Sequence, residues 1–198
     1  MPTKLILIRH GITAWNQQRR YCGHKDVCLS SEGKRQAAKL RKKLESVNCD
    51  RIYVSDRKRA IQTAKIIFDG SAITQIKNLR EINFGVFEGL NYEEIRKKYP
   101  SLHKKWLRDP FNNHIPKGEY LYSFKKRINS AIKRIIRLNQ GKTIAVVCHG
   151  GTIAMFITSL LKKKSFWRYV PGAASVSIVE YRKNKPRLKL FNCTKHLN

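Results

Sequence analysis

Two short apolar runs, each closed by a histidine and a glycine, constrain this chain more than any other feature. Leu5-Ile6-Leu7-Ile8 leads into Arg9-His10-Gly11, and Thr143–Cys148 leads into His149-Gly150-Gly151. Neither run shows the polar–apolar alternation of a strand with one wet face. Both suit strands buried on two faces, which belong at the centre of a parallel sheet covered by helices.

The rest of the chain alternates in kind. Ser31–Val47 has a capping-type start, then Ala37, Ala38, Leu40 and Leu44 at helical spacing with a basic opposite face. Arg51–Ser55 reads as a strand and Arg59–Phe68 returns to the helical period. Asn91–Tyr99 and Leu102–Arg108 read as short helices. Leu121–Leu138 places Phe124, Ile128, Ala131, Ile132, Ile135 and Ile136 on one face. An apolar helix follows His149 through Leu161, and Ala174–Tyr181 and Arg187–Phe191 alternate as strands. This order predicts an α/β fold, a three-layer α/β/α sandwich around a mostly parallel sheet. The length, 198 residues, suits one domain over 1–198. A helical and loop insertion is expected around 86–120, where Pro100, Pro110, Pro116 and Asn112-Asn113-His114 fall.

Composition bounds the partners. Lys and Arg number 42 against 13 Asp and Glu, a formal charge of +29. With 41% hydrophobic residues the chain is not a disordered polycation, so the charge sits on a folded exterior. Phosphate-bearing molecules, nucleic acid and anionic membrane surfaces are favoured. The apolar start is too short for a signal-peptide core and no run approaches a membrane span, so a cytoplasmic protein without membrane attachment is expected. Five cysteines without a C-x-x-C pair argue against a disulfide framework and a structural zinc site.

In sheets of this kind ligands sit beyond the carboxyl ends of the strands. That rule singles out His10, His149 and a third strand tip, Ser55-Asp56, with Arg57-Lys58-Arg59 behind it. A lone histidine after a strand is ordinarily a hydrogen-bonded loop residue, and on the pattern alone catalysis and structure are evenly balanced. Chemically, neutral imidazole is a nucleophile toward phosphorus, and arginine forks match phosphoryl oxygens. A carboxylic acid would have to protonate the departing oxygen. Glu81, Glu88 and Glu119, near glycines or turns, are the candidates.

These residues resemble the histidine phosphatase superfamily, the phosphoglycerate mutase-like proteins. Leu7-Ile8-Arg9-His10-Gly11 with Thr13, Trp15 and Asn16 looks like its opening signature. Arg20-Tyr21-Cys22-Gly23, Ser55-Asp56 with Arg59-Ala60, Leu79-Arg80-Glu81, Phe87-Glu88-Gly89, Gly118-Glu119 and Val147-Cys148-His149-Gly150 follow in the family's order. The resemblance implies a phosphoglycerate mutase-like fold and a metal-independent phosphomonoesterase working through a phosphohistidine. His10 would be the nucleophile and Glu81 the general acid and base, with Glu88 its competitor. Arg9 and Arg59 would clamp the phosphoryl group, with His149 as a further donor. Asn16, Arg20 and Gly150 would line the substrate mouth. A carbonyl, that of Gly11 or a neighbour, is expected to hold the His10 tautomer. No cofactor and no metal are expected.

The departures from the family pattern, Ile12 and Tyr120 in place of polar residues, bear on the leaving group. The chain is short for a cofactor-dependent mutase, which favours a phosphatase. Arg20-Tyr21-Cys22-Gly23-His24 and the ending Asn192–Leu197 look most like α-ribazole phosphatases, in cobalamin biosynthesis, and the related metal-independent phosphoserine phosphatases. The expected partner is a small phosphorylated metabolite. Phosphoserine or broad-specificity hydrolysis is the alternative. A rival of another class is a basic nucleic-acid-binding protein on an inactive phosphatase fold, supported by runs such as Lys39–Lys43, Lys125-Lys126-Arg127 and Lys162–Lys164. Aromatic residues do not interleave with those runs, which argues against nucleic acid. The strand-like C-terminal segments offer a pairing edge for a homodimer.

Overall fold

The two apolar runs lie side by side. β1 (Thr3–Arg9) pairs in parallel with β4 (Thr143–Cys148), with Lys4 opposite Thr143 and Arg9 opposite Cys148. This computed structural model describes residues 1–163, 165–183 and 185–198, so Lys164 of the basic run Lys162–Lys164 lies outside the described residues. The remaining strands are β2 (Arg51–Val54), β3 (Thr74–Gln75), β5 (Val176–Arg182) and β6 (Lys185–Cys193). The helices are α1 (Ala14–Gln17), α2 (Ser31–Leu44), α3 (Lys58–Ile67), α4 (Tyr92–Lys98), α5 (Pro100–Arg108), α6 (Leu121–Leu138) and α7 (Gly150–Leu160).

The strands form one six-stranded sheet in the order β3-β2-β4-β1-β5-β6. The first four are parallel, whereas β5 and β6 run antiparallel to their neighbours and make the sheet mixed. Only positions 183 and 184 separate β5 from β6. Such a link can join antiparallel neighbours only, since a parallel crossover needs roughly a dozen residues. Period-two alternation then sorts the central strands between two cores. Leu5 and Leu7 with Ile144, Val146 and Cys148 pack against Phe124, Ile128, Ile132 and Ile135 of α6 and Ile153, Ala154 and Ile157 of α7. Ile6, Ile8, Val54 and Val147 face Ala37 and Leu40 of α2 and Ala60, Ala64 and Ile67 of α3. The expected three layers result.

Element ends follow local chemistry. Ser30 caps α2, its side chain accepting from Gly33 N. α5 begins at Pro100, two residues before the apolar pattern suggests, because proline suits the first helical position. The segment over 86–120 builds a small core of its own from Phe87, Ile95, Trp106 and Ile115, with Tyr21 and Phe84 packed on it. This cluster forms one bank of the crevice above β1 and β4.

Candidate active site

Because Arg9 and Cys148 are register partners, the next residue on each strand leaves the sheet beside the other. His10 and His149 therefore meet edge to face, with ring centroids 5.2 Å apart at 65°. His10 N donates to Cys148 O at 3.0 Å, and Gly11 N donates to Thr63 Oγ1 at 3.1 Å. The chain turns there against the start of α2, so closely that a Cβ on Gly11 would stand 2.4 Å from Gly33 O. The glycine after His10 is thus a packing requirement.

Hydrogen bonds decide both tautomers. His10 Nδ1 lies 2.7 Å from Gly11 O. A carbonyl only accepts, so Nδ1 carries the proton and Nε2 keeps its lone pair. His149 has the opposite arrangement: Arg59 Nε donates to its Nδ1 at 3.2 Å, and its Nε2–H donates to Ser55 Oγ at 2.8 Å. Burial first, then the charges of Arg59 and its neighbours, pushes both histidines well below the usual imidazole range. Both rings are neutral near pH 7.

The carboxylates separate by their partners. Glu81 is buried, with Oε1 accepting from Ile82 N at 2.9 Å and Oε2 from Gly151 N at 2.7 Å. Burial raises its pKa, and the two N–H groups and the charges of Arg59 and Arg9 offset only part of the rise. Glu88 instead accepts from His24 N at 2.6 Å, Lys25 N at 2.8 Å and Phe84 N at 3.2 Å, and so ties the 23–25 loop to the 84–88 turn. Glu119 is held by Arg127 at 2.6 and 2.7 Å.

A cavity of about 310 Å³ opens here, lined by Arg9, His10, Asn16, Arg20, Glu81 and Gly150 among others. Six of the eight residues expected from the sequence thus share one wall. Arg9 donates to Pro171 O through one terminal nitrogen, while its buried Nε has no partner among the described residues. Asn16 commits its Oδ1 to the Thr13 backbone and hydroxyl, each at 3.0 Å, in the capping box of α1, which leaves its NH₂ for a ligand. Arg20 is anchored by Gly89 O at 2.6 Å and Glu94 at 2.7 Å.

Arg59 and His149 are not in that wall. Arg59 is fully buried and makes four hydrogen bonds, to His149 and to the carbonyls of Cys22, Gly23 and Lys25. Both nitrogens of His149 are likewise occupied. In this structure the pair brings positive charge and a fixed loop to the cavity floor, where the sequence suggested direct donors. Residues the sequence reading missed include Arg19, Phe84, Phe166, Trp167 and Val170, also in the lining. They come from three separated segments without a shared motif, and only the exposed aromatic Trp167 beside arginine would have been a cue. Among the described residues no three His, Cys, Asp or Glu side chains gather as a metal ligand set.

Comparison with known proteins agrees with this geometry. The sequence profile of the histidine phosphatase superfamily (branch 1) matches residues 5–194. Phosphoserine phosphatase 1 of Hydrogenobacter thermophilus is 32% identical over 198 residues, covering 98% of this chain and 94% of that protein. Phosphoglycerate mutase-like protein 4 of Arabidopsis thaliana is 35% identical over 155 residues, 76% of this chain and 67% of its own. Among solved structures, a putative alpha-ribazole-5'-P phosphatase from Escherichia coli K-12 superposes with a TM-score of 0.91 at 25% identity, over 98% of both chains. With the mixed sheet and helix layers of the phosphoglycerate mutase-like fold, this chain belongs to the histidine phosphatase superfamily and is a phosphatase of that superfamily.

Proposed function

We propose that the protein hydrolyses a small phosphate monoester through a phosphohistidine on His10, without a metal ion, and that its substrate is α-ribazole 5'-phosphate. The observation that carries the chemistry is one cavity holding an imidazole nitrogen with a free lone pair and a carboxyl group whose pKa burial raises. His10 Nε2 attacks phosphorus in line, the bond to the leaving oxygen breaks, and Glu81 gives that oxygen its proton. The imidazolium so formed is steadied by Gly11 O at Nδ1. Glu81, now a carboxylate, takes a proton from water. The hydroxide displaces the imidazole from phosphorus, and inorganic phosphate leaves with His10 neutral again. Arg9, which lines the cavity and commits only one terminal nitrogen to the protein, is the donor for the phosphoryl oxygens, and the N-terminus of α7 at Gly150 adds its positive end. Arg59 and His149 contribute as the buried charge and as the ring that orients it.

The leaving-group side of the cavity supports the substrate. Tyr21, Phe84, Phe166 and Trp167 line it, a wall suited to a flat aromatic base, and the E. coli neighbour is described as a putative alpha-ribazole-5'-P phosphatase. Arg19 on the same rim favours a second reading, phosphoserine, whose carboxylate it would meet; the H. thermophilus relative carries that name. The test is phosphate release in EDTA by the wild type and His10→Ala, with α-ribazole 5'-phosphate, phosphoserine, 3-phosphoglycerate and sugar phosphates compared by kcat/KM. The wild type should turn over and the variant should not. Loss of wild-type activity in EDTA would sink the metal-free scheme. Silence of both, with salt-steep binding to duplex DNA, would favour the nucleic-acid alternative.

A further inference from the structure

A second, larger cleft of about 990 Å³ lies between α6, α7 and the β5–β6 hairpin, and shares only Phe166 with the active cavity. Its make-up is one-sided. Lys125, Lys133 and Arg137, with Asn129 between the first two, face it from one ridge of α6 whose four-residue steps stack side chains on a helix face, and Lys162 and Lys163 face it from beyond α7. Among the described residues no Asp or Glu lines it, and none of these five cations enters an ion pair. The lining between the cations is apolar: Ile136, Met155, Phe156 and Leu160, flanked by Phe111 and Tyr122 packed edge to face with centroids 5.0 Å apart.

Part of the polar lining is already used, which leaves Gln140, the Asn129 amide oxygen and the Tyr122 and Tyr181 hydroxyls without a partner among the described residues. Thr158 Oγ1 donates to Ala154 O and Ser159 Oγ to Met155 O, both at 2.8 Å, and Asn129 Nδ2 donates to Ser159 Oγ at 3.0 Å. A nucleobase would find few donors or acceptors to read, whereas an alkyl chain needs none. A second copy of this chain would set one five-cation rim against another, which costs energy. A flat bilayer could not follow the cleft down to Met155 and Phe156, which are 1% and 4% exposed.

We infer that this cleft binds a free single-chain anionic amphiphile of the fatty-acid class, its alkyl chain along the half-buried Phe111, Ile136 and Leu160 and its carboxylate among Lys133, Arg137 and Lys162. Nothing in this assignment depends on the phosphatase chemistry, and binding is read without turnover. The experiment is calorimetric titration of the full-length protein with laurate below its micelle concentration, beside dodecyltrimethylammonium, which has the same chain and the opposite head. Laurate should bind at one site per chain and the cation should not. The double variant Lys133→Glu/Arg137→Glu should bind about tenfold or more weakly, because two attractions become repulsions. Ser159→Phe, which fills the cleft, should also lose binding. Lys42→Glu/Lys43→Glu on exposed α2 should bind as the wild type, and phosphatase activity of all variants reports folding. Equal binding of the two amphiphiles, equal loss in the α2 variant, or no loss in Ser159→Phe would overturn the assignment. So would binding to phosphatidylglycerol vesicles with none to monomeric laurate, or sedimentation as a dimer with the cleft closed to ligand.

Discussion

A Cβ at Gly151 would stand 2.4 Å from Glu81 Oε1, and one at Gly150 would come within 3.2 Å of Arg9 Cζ. The double glycine that opens α7 therefore makes room for two different side chains, the carboxyl group and the guanidinium of the proposed reaction. Gly151→Ala would push a flexible but buried carboxyl off its bond to Gly151 N, while alanine in the first turn favours the helix by up to about 1 kcal/mol. The expected result is a kcat lowered about ten- to a hundredfold, with the loss of a buried hydrogen bond, about 1–3 kcal/mol, partly offset by the helix preference and the melting temperature slightly lowered. An unchanged kcat would mean that this placement of Glu81 does not matter. Glu81→Gln removes the proton itself, and kcat should fall by about 10²–10⁴ for alkyl phosphates. With p-nitrophenyl phosphate, whose phenolate leaves without help, the first step should survive and the second should stall. Intact-mass spectrometry should then find the chain heavier by one phosphoryl group, on His10. An unmodified chain under those conditions would count against Glu81 as the later base.

At the level of elements, the loop at 22–25 is held from both sides. Arg59 of α3 takes its carbonyls, and Glu88 takes the N–H groups of His24 and Lys25. Glu88→Ala should exchange those bonds for bonds to water, at a cost of about 0.5–1.5 kcal/mol, and loosen the loop that positions Cys22 in the cavity wall. Urea unfolding should show the loss, and KM should rise more than kcat falls; a collapse of kcat with KM unchanged would return Glu88 to the role of proton donor. The same loop shows what a sequence can disclose. β1 and β4 were legible because burial on both faces leaves an unbroken apolar run, and their pairing as neighbours follows from the His-Gly ends. The two-residue β3 carries no period and escaped notice. Glu81, Glu88 and Glu119 could not be ranked by local pattern, since what separates them is Gly151 N, the 23–25 backbone and Arg127, all distant in the chain. Arg59 was expected as a phosphoryl clamp, whereas its donors go to His149 and to carbonyls, and a carbonyl is present at every residue and so leaves no mark in a sequence. The aromatic wall at Phe166 and Trp167 depends likewise on how the segment after α7 folds back over the cavity.

The whole molecule carries 42 Lys and Arg against 13 acidic residues, a net +29, so acidification adds charge to an already self-repelling chain. The histidines set where that begins to matter. His10 and His149 are held well below 6.5, and burial lowers His24, His103 and His196 as well. Below about pH 6.5 the unfolded chain binds protons that the folded one refuses, so stability present above that pH is lost as the pH falls toward the folded values. Each histidine fully in that window contributes a slope of about 1.4 kcal/mol per pH unit. Glu81 acts with the opposite sign. Its folded pKa is raised, so its contribution is complete below about 4.5, the usual glutamate value, and is lost as the pH rises through the raised value. Over the range from 7.5 to 5.5 the histidines outnumber it, and the urea midpoint should drop steeply on acidification. His10→Asn, which removes one refused proton, should flatten that drop by about one histidine's share. A flat midpoint across this range in the wild type, with no change of slope in His10→Asn, would count against the refusal of a proton by His10 in the folded state.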